Sequence, residues 1–194
     1  MNWVKSKWLS TVVIALGVIA FASMIAFASY PSDAVVSNWP DWHTRHSTPG
    51  QLVTIYYQWG SNLQTSGTTW RTAFESGVNA WNATGTNIQF SNGTQGTPST
   101  FNTYWADDGY GGKTVPTLDG SGYLTSAVAY GNSYVSNYVP GITNDDYKNV
   151  ALHEMGHVIG LGHAPDSSAV MYMYMNRVTW PTQTDIDGIN QMYQ

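Results

Sequence analysis

The sequence predicts an α+β domain over residues 51–194, because patterns typical of short strands and of helices follow one another along it. Residues 52–57 are β-branched and aromatic, which is typical of a strand. Aromatic side chains then recur at helical spacing over 70–81, and an apolar segment with three histidines occupies 150–163. With the strands between them and a last helix, these patterns predict a cleft between two lobes.

The first helix is predicted from one stripe of large side chains. Trp70, Phe74, Val78 and Trp81 are separated by four, four and three residues, which places them on one helix face. The helix is expected to end before Gly85, because glycine is common just beyond helix ends. Such a stripe belongs to the core rather than to a ligand site.

Three further strands and one long loop are predicted between the two main helices. The strands cover 87–90, 100–105 and 124–130, where β-branched and aromatic residues recur. Residues 106–123 contain five glycines and are predicted to form a loop.

The second main helix is expected to begin near Asp145 or Asp146, either of which can cap its first turn, and to run to about Ile159. Gly160 follows, where a left-handed glycine can end the helix and allow a sharp turn.

Four residues in and just after this helix point to metal chemistry. His153 and His157 are four residues apart, so their rings lie about one turn apart on one face, and the turn at Gly160 can bring His163 to the same ion. Three protein ligands leave one tetrahedral position open, which is typical of a catalytic zinc. Glu154 is placed to accept a proton from water at that position. The alternative is an apolar helix with incidental histidines, but three of five histidines in eleven residues favour zinc.

The pattern HExxHxxGxxH followed by a methionine turn resembles the signature of the metzincin zinc metallopeptidases. Residues 168–172 resemble that turn, and Met171 follows His163 by eight residues, as in the matrixin branch with its interstitial-collagenase-type catalytic domain. Residues 182–193 resemble the last matrixin helix. The close resemblance covers 149–194. It implies a twisted mixed β-sheet, a zinc-binding active-site helix, a Met-turn and a C-terminal helix.

The resemblance also implies an activity, that of a secreted zinc-dependent endopeptidase acting on a protein or peptide. One catalytic Zn²⁺ would be held by the three histidines, with Glu154 as general base and then acid. Met171 would form an apolar floor under the imidazoles, and Tyr172 and Tyr174 would shape the substrate pocket. A second, structural zinc is expected to be absent, because no histidine occurs between residues 47 and 152.

Two expectations concern the cleft. An extended peptide is expected to pair with the strand at 124–130. The pocket for the side chain after the cut bond is expected behind residues 171–175, whose Met and Tyr content indicates an apolar preference. Ala164 follows His163, where better-known branches carry Ser, Glu or Asp.

Calcium is a further candidate cofactor. Asp107, Asp108 and Asp119 lie in the glycine-rich segment, and carboxylates on flexible loops are ligands that Ca²⁺ prefers. Plain surface turns explain the same residues equally well.

The N-terminus has the pattern of a signal peptide over residues 1–28. Lys5 and Lys7 precede an apolar stretch at 8–27, and two small residues, Ala26 and Ala28, suit cleavage before Ser29. Cleavage after Ala22, or an uncleaved membrane anchor through residues 8–27, are the alternatives. Residues 29–50 are expected to be a linker or short prosegment, with His43 and His46 in solvent, and 51–194 the catalytic domain.

The charge, cysteine content and aromatic content of the chain favour some classes of function over others. Without Lys5 and Lys7, five basic residues oppose twelve acidic ones, so no basic face for nucleic acid is expected. The absence of cysteine excludes disulfides and any latency contact from a cysteine to the metal. Nine Trp and thirteen Tyr leave open an extracellular module that stacks on sugar rings. Another alternative is an inactive metzincin-like adhesion protein, against which the intact Glu154 argues.

Overall fold

The computed structural model describes residues 26–28, as backbone only, and residues 51–193. The predicted signal peptide up to residue 25, the linker at 29–50, and His43 and His46 lie outside the described residues. Within the described part, no helix combines the length and the apolar character needed to cross a bilayer.

One mixed sheet and two long helices build the domain, so the predicted α+β class is confirmed. The strands are β1 (Ala26–Ala28), β2 (Val53–Trp59), β3 (Ile88–Asn92), β4 (Ser99–Tyr104), β5 (Tyr110–Leu118) and β6 (Leu124–Asn132). Their order across the sheet is β1-β5-β6-β4-β2-β3. Among the described strand pairs, β5–β6 alone is antiparallel. The helices are α1 (Thr69–Asn82), the short α2 (Val135–Tyr138), α3 (Asn144–Ile159) and α4 (Gln183–Tyr193), and a 3-10 turn spans Ser61–Leu63.

Helix α1 carries the predicted aromatic stripe and packs on both the sheet and α3. Trp70, Phe74 and Trp81 are buried, and the Phe74 ring stacks on Phe101 of β4 at 5.1 Å between centroids. The indole Nε1 of Trp81 donates to the Leu152 carbonyl at 3.1 Å. This bond joins α1 to the middle of α3, and the Phe74–Phe101 contact joins α1 to the sheet. Helix α1 therefore fixes the position of the histidine-bearing helix relative to the sheet.

Helix α3 begins two to three residues earlier than predicted. Its N-cap is Thr143, whose side chain accepts from the Asp146 amide, while the Asp146 carboxylate accepts from the Thr143 amide at 2.7 Å. The prediction that Asp145 or Asp146 is the cap was therefore wrong, although Asp146 completes the capping box. At the other end Gly160 has φ 110°, the left-handed conformation expected there.

The prediction that residues 106–123 form a loop was wrong, because β5 (Tyr110–Leu118) occupies the middle of that segment. The side of β5 that faces α3 has no room for a side chain at Gly112. A Cβ there would stand 2.7 Å from the Tyr130 carbonyl oxygen and 2.9 Å from Cγ of Glu154. Glycine is thus required by close packing in a strand, a context that local propensity does not reveal.

Candidate functional site

Three histidines converge at the C-terminal end of α3. His153 and His157 occupy successive turns of the helix, and the chain reverses at Gly160 and brings His163 against them. The ring centroids are 4.8, 5.1 and 5.0 Å apart. One ligand nitrogen from each ring lies within 4.8 Å of the other two. The structure therefore brings together all three residues predicted as metal ligands.

Backbone carbonyl groups orient two of these rings. Nδ1–H of His153 donates to the Val170 carbonyl at 2.9 Å, and Nδ1–H of His157 donates to the Leu161 carbonyl at 2.7 Å. The ligand atom that each ring can offer is therefore Nε2. Such bonds from the second ring nitrogen fix the tautomer of a metal-binding histidine.

Burial keeps the imidazoles neutral, which is the form that binds a metal. It lowers the pKa of His153 well below its usual value and that of His157 to about 3, and the neighbouring histidines add to the effect. Burial also lowers the pKa of His163. The Nε2 of His163 is buried without a hydrogen-bond partner among the described residues. A cation would satisfy this lone pair, and three nitrogen donors suit zinc.

Glu154, which follows His153 in the sequence, is fully buried. Its Oε2 accepts a hydrogen bond from the Thr114 hydroxyl at 2.7 Å, while Oε1 is buried without a partner among the described residues. Burial raises the pKa of Glu154 to about 8, against the opposing effect of the Thr114 hydrogen bond. A divalent cation on the imidazoles would favour the ionised carboxylate.

The segment around Met171 packs directly under α3. Val170 and Met171 donate their amides to the two carboxylate oxygens of Asp185, each at 3.0 Å. The same carboxylate accepts from the amide and the hydroxyl of Thr182 at 2.8 Å, so the first turn of α4 holds this segment in place. Asp185 was not predicted as a site residue. The T-x-x-D pattern at 182–185 was the available signal, since it is typical of a capping box.

Gly156 allows Met171 to approach α3. A Cβ at this position would collide with Sδ of Met171. In an exposed helix, Gly→Ala would stabilise the fold by up to about 1 kcal/mol. Here we expect Gly156→Ala to lower the free energy of unfolding by about 1–3 kcal/mol, because a well-packed core tolerates added volume poorly.

Urea denaturation of the zinc-loaded protein measures this effect. Gly120→Ala is the matched control, because a Cβ at Gly120 meets no atom within 4 Å and the residue has an ordinary φ. Equal unfolding midpoints for the Gly156→Ala variant and wild type would show that the Met171 contact is not tight.

Tyr172 and Tyr174 lie together just beyond Met171. Their ring centroids are 5.7 Å apart, and both side chains are partly exposed. A cavity of about 230 Å³ is lined by residues 161–165, Met171 and residues of α4. No residue of 172–175 lines that cavity, so the role of the two tyrosines in a substrate pocket stays a prediction.

The aspartates proposed for calcium are not gathered into one site. Asp108 accepts from the Tyr110 amide and the Asn132 side chain, both at 3.1 Å, and Asp119 accepts from the amides of Ser121 and Tyr123. Among the described residues, the three histidines form the one group of three or more side chains placed to hold an ion. Asp107 therefore does not join Asp108 and Asp119 in a common site.

Three plant metalloendoproteinases are similar in sequence to part of this chain. Metalloendoproteinase 1 of Glycine max is 45% identical over 51 residues, which are 25% of this chain and 17% of that protein. The 1-MMP and 5-MMP metalloendoproteinases of Arabidopsis thaliana are 41% and 36% identical over 51 and 58 residues, which are 25% and 28% of this chain. These segments are 14% and 16% of the Arabidopsis proteins, so each match spans less than a fifth of the relative.

The chain is also similar to a solved structure and to a family model. The hatching-enzyme zinc-protease of Oryzias latipes, high choriolytic enzyme 1, has a TM-score of 0.47 and 15% identity, with 87% of this chain and 98% of that chain covered. The matrixin model of peptidase family M10 matches residues 48–194, which include every described element except β1. The chain therefore belongs to the matrixin family.

Proposed function

We propose that this chain is a secreted zinc-dependent endopeptidase. The observation that carries the proposal is the buried cluster of three imidazoles, together with the buried carboxylate of Glu154, the residue that follows His153. Its Oε2 accepts from Thr114, and its Oε1 has no partner among the described residues. Membership in the matrixin family supports the same chemistry. Export rests on the signal-peptide pattern at residues 1–28, with 29–50 as linker or prosegment and 51–194 as the catalytic domain.

The proposed mechanism assigns each residue one task. His153, His157 and His163 would hold the ion through Nε2, and zinc when bound supplies a Lewis acid that also acidifies a water molecule. Oε1 of Glu154 accepts the proton of the attacking water and later delivers it to the leaving amine. Asp185 and Met171 act indirectly, by fixing the segment that carries the Val170 carbonyl bound to His153.

The strand that pairs with substrate needs a correction. The strand at 124–130 was expected to take this part, but β6 is paired on both sides, with β5 and β4. Strand β5 has α3 against one face, and among the described residues its outer edge pairs only with β1. Cleavage before Ser29 would remove β1, so we propose that an extended peptide pairs with the outer edge of β5.

The pocket for the residue after the cut bond is proposed to lie at Tyr172 and Tyr174. The nearby methionines favour an apolar substrate side chain there. Sequencing the products of a peptide-library digest tests this preference, and a majority of charged residues at that position would contradict it.

Hydrolysis of a quenched fluorescent peptide tests the proposed function. We expect the secreted protein to cleave it, to lose activity when a chelator removes the metal, and to regain it with stoichiometric zinc. Protein that binds zinc tightly yet cleaves neither this peptide nor casein would contradict the proposal and favour an inactive metzincin-like adhesion protein.

One observation favours a binding function beside catalysis. Trp105 and Tyr138 are 61% and 59% exposed, and the Tyr138 ring stacks on Tyr134 at 4.4 Å between centroids. Exposed aromatic faces of this kind suit sugar rings. Retention of wild type, but not of Trp105→Ala, on insoluble polysaccharide would support this second function, and equal retention of the two would exclude it.

A further inference from the structure

We propose that Thr114 is a positioning residue for the general base, and this inference rests on the endopeptidase function proposed above. Its hydroxyl holds Oε2 of Glu154 on the side of the sheet, so that Oε1 is the oxygen presented to the reaction. Nothing in the HExxH pattern specifies this threonine, which lies forty residues before Glu154 on a different element.

The contacts of the hydroxyl define its role. The Thr114 Oγ1 lies 2.7 Å from Oε2 of Glu154 and 3.0 Å from the Glu154 backbone carbonyl oxygen. A threonine hydroxyl has one proton to donate, and the shorter distance and the carboxylate charge favour Oε2. Thr114 is 5% exposed and Glu154 is fully buried, so no solvent competes for this bond.

The strand is shaped to bring this hydroxyl to the helix. Residues 112 and 114 point to the same face of β5, since side chains alternate along a strand. Because Gly112 has no side chain, Cγ of Glu154 can lie close to β5 at this position. The Thr114 hydroxyl can then bond to the carboxylate. One strand thus supplies both the space for the base and the bond that orients it.

The same strand is the proposed partner of the substrate. Its outer edge would align the peptide, while its inner face fixes the carboxylate that acts on the attacking water. Thr114 would therefore couple the position of the base to the position of the substrate. In enzymes, a misplacement of about 1 Å can cost roughly 10²-fold in rate.

A purely structural role is the competing explanation, and a set of variants separates the two. Thr114→Val removes the hydroxyl at nearly constant volume, whereas Thr114→Ser keeps it. Thr125→Val is the matched control, because the Thr125 hydroxyl also bonds across the β5–β6 hairpin, to the Thr117 carbonyl at 3.1 Å. Steady-state kinetics on the fluorescent peptide, zinc content and the urea midpoint are measured for each zinc-loaded protein.

We expect Thr114→Val to lower kcat roughly 10- to 100-fold with KM within about twofold of wild type, and with unchanged zinc content. Thr114→Ser and Thr125→Val are expected to stay within about threefold of wild type in kcat. In a Glu154→Gln background, Thr114→Val should lower the residual kcat by less than about twofold, because the base it positions is gone.

Three results would overturn the inference. The first is a wild-type kcat in Thr114→Val, and the second is an equal loss of kcat in Thr114→Val and Thr114→Ser. The third is a loss matched by lower zinc content or by failure to fold, which would make the role of Thr114 structural. If zinc-loaded wild type does not hydrolyse the peptide, the proposed function and this inference both fail. If wild type is active but one of the three results above is found, only the inference about Thr114 fails.

Discussion

Replacing Glu154 with Gln is expected to lower kcat by roughly 10²- to 10⁴-fold, the usual contribution of a positioned general base. The amide has almost the same shape, and its oxygen can still accept the Thr114 hydroxyl bond, so the fold should survive. The amide cannot take a proton from water. The loss should therefore appear in kcat, with zinc content unchanged.

The control for this variant is Glu75→Gln. Glu75 is a partly exposed residue of α1 whose carboxylate pairs with Arg71 at 2.7 Å, and it lies outside the histidine segment at 153–163. Removal of this ion pair should change stability by less than about 1 kcal/mol and leave kcat unchanged. Residual activity above about a tenth of wild type in zinc-loaded Glu154→Gln would show that another group takes the proton.

The second large effect is expected from His157→Ala. This variant removes one of three imidazoles and the bond from Nδ1 to the Leu161 carbonyl, so both zinc binding and the turn after α3 are weakened. We expect no measurable peptide hydrolysis. Zinc at about 1,000 times its Kd should stabilise wild type by about 4 kcal/mol and leave the variant unchanged.

Thermal unfolding with and without added zinc measures that difference. His46→Ala is the control, because this histidine is expected to lie in solvent outside the catalytic domain. It should keep the full zinc-dependent rise in Tm. A zinc-dependent rise in Tm of equal size in His157→Ala and wild type would contradict the assignment of His157 as a ligand.

The parts of the fold that were predictable depend on local periodicity. The stripe from Trp70 to Trp81 identified α1, and the apolar segment with Gly160 identified the end of α3, because these signals lie within one element. Strand β5 was missed because Gly111, Gly112 and Pro116 weaken every local strand signal. Its existence depends on pairing with β6 and on close approach of α3, which are tertiary contacts.

The same distinction holds in the site. Spacing within eleven residues was enough to predict that His153, His157 and His163 converge. Thr114 and Asp185 reach the site from other elements, 40 residues from Glu154 and 14 residues from Met171 in sequence. The residues of the histidine motif therefore do not predict the contacts that Thr114 and Asp185 make. The pairing of β6 with β4 also joins residues distant in sequence, such as Thr100 and Val128, and because it was not predicted the strand chosen for substrate was wrong.

The central claim is that three imidazoles at the end of α3 hold one zinc ion. Its most direct test is the metal content of the purified protein, measured by mass spectrometry of wild type beside His163→Ala after dialysis against a weak chelator. We expect about one zinc ion per wild-type chain and nearly none in the variant. Wild-type protein without zinc after refolding in its presence, or equal zinc in both proteins, would contradict the claim.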